Sequence, residues 1–234
     1  MLKFLTKAII FLGVVVGAIT FVYLYDLYQE IKDDIDSVVN YNPKQSTQFF
    51  DKNGKLLANT FKDENREYVN YDDIPARVIE GLVAIEDTQF FEHFGVNPDA
   101  ISRAVIKNIQ SGGYSEGAST LTRQLIKVLL LSREKKIIRK VKEALLAIRL
   151  ETVLTKEEIL ERYLNHVYFG HGYYGVKTAA KGYFKKNLYE LTLKEIAILV
   201  GLPRAPSFYD PTKNLQVSLA RANQVITRMH TLGW

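Results

Sequence analysis

Eighteen consecutive residues without a charge, Ala8 to Tyr25 (AIIFLGVVVGAITFVYLY), constrain this chain more than any other feature. As a helix they reach about 27 Å, close to the roughly 30 Å hydrocarbon thickness of a bilayer. Lys3 and Lys7 precede the run, while Asp26, Glu30, Asp33, Asp34 and Asp36 follow it. The basic flank belongs on the cytoplasmic side, which puts the bulk of the chain outside. A cleaved signal peptide shares the basic start and apolar centre. However, no small-x-small cleavage site precedes Asp26, and the run exceeds most signal cores. An uncleaved anchor is favoured, with 1–7 as a cytoplasmic tail and 8–25 as the membrane span.

The chain has 234 residues, 47% of them hydrophobic, enough for one sizeable core. Cysteine is absent, which excludes disulfides, zinc–thiolate sites and thiol nucleophiles. The net charge of +5 is unevenly spread: Arg133, Lys135, Lys136, Arg139, Lys140 and Lys142 lie close together with one acid among them. Such a cluster seeks phosphates. Outside a membrane a lipid diphosphate suits it better than nucleic acid, and no nucleic-acid partner is expected.

Residues 26–40 read as a short acidic helix or stalk ended by Asn42-Pro43. Residues 46–61 alternate around Asp51-Lys52-Asn53-Gly54, the pattern of a small β-hairpin. The span 26–70 is therefore read as stalk and hairpin linker, and 71–234 as a mainly helical domain. Asp72 and Asp73 are expected to cap a helix with Pro75 in its first turn, running through Val78, Leu82 and Ile85. Further helices are expected at 98–110, 119–131, 134–152, 155–166, 174–184, 192–201 and 215–230. In the fourth of these eight, Ile137, Val141, Ala144, Leu145 and Ile148 form the expected buried stripe, with Arg139 and Glu143 on another face. The loop 111–118 (SGGYSEGA) lacks capping strength.

Four polar clusters stand out. In the first, Glu86-Asp87 ends an apolar helical run and is followed by Phe90, His93 and Gly95. Ile79, Val83 and Phe90 lie at helical spacing from Glu86 and are expected to share its face. A carboxylate on such a face has its charged form penalised, and its pKa rises toward the working range of a general base. The second runs from Gly117 to Lys127 (GASTLTRQLIK), a loop entering a helix with Ser119 and Thr120 at the N-cap. Its free backbone N–H groups, hydroxyls, amide and cation suit sugar and phosphate recognition, although an ordinary capped helix has the same look. The third, Arg139-Lys140-Val141-Lys142-Glu143, carries an i,i+4 pair that in isolation reads as a solvated salt bridge. The fourth is Tyr163-Leu164-Asn165-His166-Val167-Tyr168-Phe169-Gly170.

In this order and spacing the four clusters resemble the peptidoglycan glycosyltransferases, the transglycosylase module of class A penicillin-binding proteins and their monofunctional relatives. The matched patterns are E-D-x-x-F-x-x-H-x-G, G-x-S-T-x-T-x-Q-L-x-K, R-K-x-x-E and Y-L-N-x-x-Y-x-G. The stretch from Leu191 through Gly201-Leu202-Pro203-Arg204-Ala205-Pro206 to Tyr209-Asp210-Pro211 is similar to the family's closing segment, so the likeness covers roughly 46 to 234. Ala118, Arg123, Val128 and Lys185 depart from the usual glycine, glutamine, asparagine and glycine. Gly170-His171-Gly172-Tyr173-Tyr174-Gly175 matches a dinucleotide fingerprint but follows a helix with no βαβ unit around it. Ser132-Arg133-Glu134-Lys135 matches a penicillin-site motif without its S-D-N and K-T-G partners. The four histidines lack metal-ligand spacing.

The resemblance implies a lysozyme-like helical domain with a small membrane-associated jaw lobe. It implies polymerisation of lipid II into β-1,4-linked glycan with release of polyprenyl diphosphate, at the outer face of the bacterial cytoplasmic membrane. Glu86 takes the role of general base and Glu143 that of a second, supporting carboxylate. Asp87, His93, Ser119, Thr120, Gln124, Asn165 and Tyr168 are expected among the substrate contacts. Lys127, Arg133, Arg139 and Lys140 are expected to receive the diphosphate. No cofactor is required, although a divalent cation (Mg or Mn) could supplement the basic residues. Lipid II, the growing strand, membrane lipids and other cell-wall synthesis proteins are the candidate partners. The apolar run Leu125–Leu131 is a candidate for meeting lipid tails, against the alternative of a buried helix face. Two rival readings remain: a lysozyme-like hydrolase or lytic enzyme, and a non-catalytic membrane-anchored scaffold. The strand-like 46–61 region suggests the bifunctional type, whose transpeptidase domain would lie beyond residue 234.

Overall fold

The computed structural model describes residues 2–40, 45–61, 64–113, 117–130 and 136–234. The uncharged run lies within one helix, α1 (Leu2–Ile31), of which Thr6–Ile31 is long and apolar enough to cross a membrane. Phe11, Ile19 and Phe21 stand exposed along it, but Leu27 and Ile31 turn into the protein. A short helix, α2 (Asp34–Val39), continues that stripe with Ile35 and Val38, both buried in the main core. These four apolar residues recur every three or four positions, so one face of 27–38 is a packing face. The segment read as a stalk is thus packed onto the helical body. Lys142 Nζ donates to Glu30 Oε1 (3.0 Å), and Arg162 Nη2 donates to the Val39 carbonyl (2.8 Å).

Strands β1 (Thr47–Phe50) and β2 (Leu56–Thr60) form the expected antiparallel hairpin, with a register irregularity at Phe49/Phe50. Asp51 Oδ1 accepts from the backbone N–H groups of Asn53 and Lys55 (both 2.8 Å), and Gly54 supplies the left-handed φ of 79° that closes the turn. A second pairing, parallel, joins β3 (Asn65–Arg66) to β4 (Tyr173–Tyr174). Two-residue strands leave no periodicity to read, which is why the sequence does not announce them.

The rest is helical. A 3₁₀ turn (Tyr71–Asp73) precedes α3 (Ala76–Glu86), whose N-cap is Pro75 with no side-chain capping bond. The acidic pair therefore lies one turn earlier than a cap. Helix α3 packs against α9 (Leu193–Gly201) and α10 (Leu215–Thr231) through Val78, Leu82, Leu199, Val200 and Val225. Gly81 permits the approach, since a β-carbon there would lie 3.3 Å from Val200. On the other side α5 (Leu121–Leu130) packs on α6 (Lys136–Leu150) and α7 (Lys156–His166), burying Leu121, Leu125, Ile126, Leu146, Leu150 and Leu160. Helix α8 (Val176–Phe184) bridges the two groups. Thr155–Glu158 and Thr192–Glu195 form full capping boxes at the starts of α7 and α9.

Three sequence readings need correction. Helix α3 ends at Glu86, so Phe90 is not on its face; it is buried in the following turn. In α6 the buried residues are Leu146, Ala147 and Leu150 together with Lys142 and Glu143, while Ile148 is exposed and Val141, Ala144 and Leu145 are half-buried. The face is rotated because Glu30 covers Lys142 and two arginines neutralise Glu143; Ile137 lies outside the residues whose side chains are described. Of the run 125–131, Leu125 and Ile126 are wholly buried and Val128 is exposed. The larger exposed apolar surface belongs to α4 (Pro98–Gln110), where Ile101, Val105, Ile106 and Ile109 share one face and only Ala104 is buried.

Candidate active site

Glu86 and Asp87 are neighbours with different surroundings, because the helix stops between them: Asp87 leaves α3 with φ −159° and ψ 76°. Asp87 turns inward. Its Oδ2 accepts from the Leu121 backbone N–H at the start of α5 (3.0 Å) and from His93 Nε2 (3.0 Å). The anion that a helix N-terminus attracts is here the protein's own carboxylate. The loop after Asp87 is fastened in the same way. Thr120 Oγ1 donates to the Gly95 carbonyl (2.6 Å), Lys156 Nζ donates to the His93 carbonyl (2.8 Å), and Lys156 lies 4.4 Å from the centroid of Phe90. Gly95 has φ 77°, and a β-carbon on it would sit 2.6 Å from the Ala147 backbone, so no other residue fits.

Glu86 faces a cavity of about 540 Å³. Its side chain is only 11% exposed, with Oε2 accepting from Gln124 Nε2 (3.0 Å) and Oε1 from Arg221 Nη2 (3.2 Å). Tyr163, buried beneath, donates its hydroxyl to Gln124 Oε1 (3.1 Å), which fixes the amide so that its NH₂ points at the carboxylate. Burial pushes the Glu86 carboxyl above its ordinary pKa, opposed by the Gln124 hydrogen bond and by the charges of Arg221 and Arg204. Burial likewise lowers the Arg221 guanidinium. Both partners are displaced away from their charged forms, so desolvation outweighs attraction in this pair.

The same cavity is lined by Asp87, Ser119, Thr120, Gln124 and Lys127 from the sequence-derived candidates. Lys127 is exposed and has no ion-pair partner among the described residues. The other candidates lie elsewhere. Glu143 is buried beside Arg123 (3.3 Å) and its i,i+4 partner Arg139 (3.3 Å). It reaches the site only through α5, on which Arg123 precedes Gln124. Lys140 is exposed on α6, and Arg133 lies outside the described residues. His93 is held by Asp87. Asn165 spends its side chain on protein backbone: Nδ2 donates to the carbonyls of Val69 (2.7 Å) and Glu161 (2.8 Å), and Oδ1 accepts from the Val69 N–H (2.8 Å). Tyr168 packs on Tyr174, and its hydroxyl accepts from the Gly172 N–H (3.2 Å).

The cavity's further cations, Arg103, Arg204 and Arg228, and the buried Arg221 were not picked out from sequence. Arg204 sits in the Gly201–Pro206 stretch that does carry a signal. The other three are single arginines on amphipathic helices, where a solvated face is the default reading. Among the described residues no group of three or more His, Asp or Glu side chains could hold a metal ion, so they form no all-protein cage for a divalent cation.

A buried carboxylate opening onto a cavity ringed by cations is an arrangement for deprotonating a neutral nucleophile beside an anionic leaving group. The sequence also matches the profile of the family described as Transglycosylase over residues 53–230. Penicillin-binding protein 1A of Aquifex aeolicus is 42% identical over 225 residues, covering 95% of this chain and 31% of that protein. Penicillin-binding protein 1A of Escherichia coli is 41% identical over 214 residues, covering 90% and 25%. A crystal structure of penicillin-binding protein 1A from Haemophilus influenzae aligns with 81% of this chain and 18% of that one, at 29% identity and a TM-score of 0.44. The chain thus spans about a quarter to a third of the curated relatives' length. With most of its residues outside the anchor inside the matched region, the chain belongs to the transglycosylase family.

Proposed function

We propose that this chain is a peptidoglycan glycosyltransferase that polymerises lipid II. The observation that carries the reading is the position of Glu86, buried, doubly hydrogen-bonded and open to a cavity that also holds Arg103, Lys127, Arg204 and Arg228. In the proposed step the 4-hydroxyl oxygen of one lipid II attacks the anomeric carbon of the donor glycan. The C–O bond to the diphosphate breaks, its electron pair leaves with polyprenyl diphosphate, and the hydroxyl proton passes to Glu86. In-line attack inverts the centre from α to β. The diphosphate needs no strong acid to leave once its charge is met by cations. Glu143 acts at one remove, holding Arg123 and Arg139.

A hydrolase reading has less support, because water-driven cleavage of a neutral glycosidic bond gives Lys127, Arg204 and Arg228 no leaving-group charge to neutralise. Incubation with lipid II and, separately, with finished peptidoglycan separates the two: polymer is expected from the first and no cleavage of the second. Consumption of finished peptidoglycan alone would overturn the assignment.

Membrane contact is proposed at two places. The anchor spans the cytoplasmic membrane once, with Lys3 and Lys7 inside and the helical domain on the outer face. The second place is α4, whose Ile101, Val105, Ile106 and Ile109 are 40–75% exposed on one face. Fully burying such a side chain is worth about 1.5–3 kcal/mol and about half of each is still exposed, so roughly 3–7 kcal/mol awaits an apolar partner, and lipid tails beside the cavity supply one. A chain begun at residue 26, which keeps Leu27, Ile31, Ile35 and Val38, is expected to bind lipid vesicles. The Ile106→Asp/Ile109→Asp double variant should bind them at least about tenfold more weakly. Equal co-sedimentation of the two proteins would remove α4 from the membrane.

A further inference from the structure

Arg221 and Gly201 meet where α10 crosses α9. A β-carbon on Gly201 would lie 2.9 Å from Arg221 Cγ, so the arginine stem occupies the space a side chain would need. The Arg221 side chain is 6% exposed. Its Nη1 donates to Gln224 Oε1 (3.3 Å), its Nη2 to Glu86 Oε1 (3.2 Å), and its Cζ lies 5.7 Å from the Tyr209 ring centroid. Burying a guanidinium is costly unless its geometry is well matched, and this one is seated by a glycine gap, an aromatic face and an amide. Its single carboxylate contact is the one on the cavity. Gln124, fixed by Tyr163, takes the other oxygen, so the carboxylate is gripped from two sides.

We propose that Arg221, seated in the gap left by Gly201, is the positioning residue of the site. It sets the direction of the Glu86 carboxylate and favours the ionised form that accepts the substrate proton. The proposal rests on the reading of Glu86 as base given above. Other charged or titratable groups near Glu86 act less directly. Asp87 is turned to His93 and Leu121, Tyr163 binds Gln124 rather than Glu86, Arg103 lines the cavity from α4, and Arg204, Lys127 and Arg228 line it without a hydrogen bond to Glu86 among the described residues. Arg221 opposes the burial that raises the Glu86 pKa, so removing it favours the protonated, inactive form.

The test is the pH dependence of glycan synthesis from lipid II by the full chain and its Glu86→Gln, Arg221→Gln, Arg221→Lys and Gly201→Ala variants. Arg221→Gln is expected to lose about 10²-fold at neutral pH, the cost of a misdirected catalytic group, with its acid limb moved to higher pH. Arg221→Lys should recover part of the rate and bring the limb back toward wild type. Gly201→Ala changes no charge but displaces the arginine, so it should move the limb in the same direction as Arg221→Gln. A merely structural role would lower the rate and leave the limb in place, which overturns the proposal. Should Arg221→Gln not fold, the limbs of Gly201→Ala and Arg221→Lys decide by the same criterion. Wild type active, Glu86→Gln inactive and every limb unmoved sinks the positioning role alone. Residual wild-type activity in Glu86→Gln sinks the reading of Glu86 as base, and this proposal with it.

Discussion

Glu86→Gln is expected to lower glycan polymerisation by at least about 10³-fold while leaving lipid II binding close to wild type. Glutamine has nearly the same shape and can still accept from Gln124 or Arg221, but its amide does not take up the proton of an attacking hydroxyl. The sign of the Glu86 pKa displacement gives one contribution to stability. Burial holds the Glu86 pKa above its unfolded value, so charging it costs folding free energy as pH rises from the unfolded pKa to the folded one. The neutral amide removes that cost but takes the counter-charge from the buried Arg221 guanidinium, so the two effects on stability oppose each other. The same displacement places the acid limb of the wild-type rate profile above the pH where an ordinary carboxylate would ionise, since only the ionised form is a base. Radiolabelled lipid II in a polymerisation assay, with binding measured separately, tests both parts. Synthesis by the variant within tenfold of wild type would remove Glu86 from the chemistry.

Asp87→Ala should act on the fold, unfolding early. The substitution strips the acceptor from the Leu121 N–H and from His93, both buried, and uncaps α5. Breaking a buried charged contact from one side costs about 3–5 kcal/mol. At about 2–4 °C per kcal/mol for a domain of this size, the melting midpoint should fall by roughly 10 °C. Activity loss would follow from the displaced loop that carries His93 and Gly95 beside the cavity. A midpoint within about 2 °C of wild type would show that Asp87 is not what joins α3 to α5. The expected fall would set the two adjacent acids apart: Glu86 opens onto the cavity, whereas Asp87 holds the fold together.

Much of this was legible in the chain. The hydrophobic run marks the anchor, Asp51–Gly54 marks the hairpin, and Thr155–Glu158 and Thr192–Glu195 mark helix starts, because each depends on residues within a turn of one another. The first two polar clusters do converge, through Glu86, Gln124 and Lys127, on one cavity. Other features depend on how the helices pack. Asn165 and Asp87 look like ligand-binding side chains in a string of residues, yet the fold turns both toward its own backbone. Glu143 reads as half of a surface pair and is buried, because α6 rotates toward Arg123 and α1. Arg221 reaches Glu86 across 135 positions, with no local pattern to mark it. Short-range propensity and periodicity specify elements and their ends, whereas the partner of a buried charge is settled by which helix faces which, and that information is spread over the whole core.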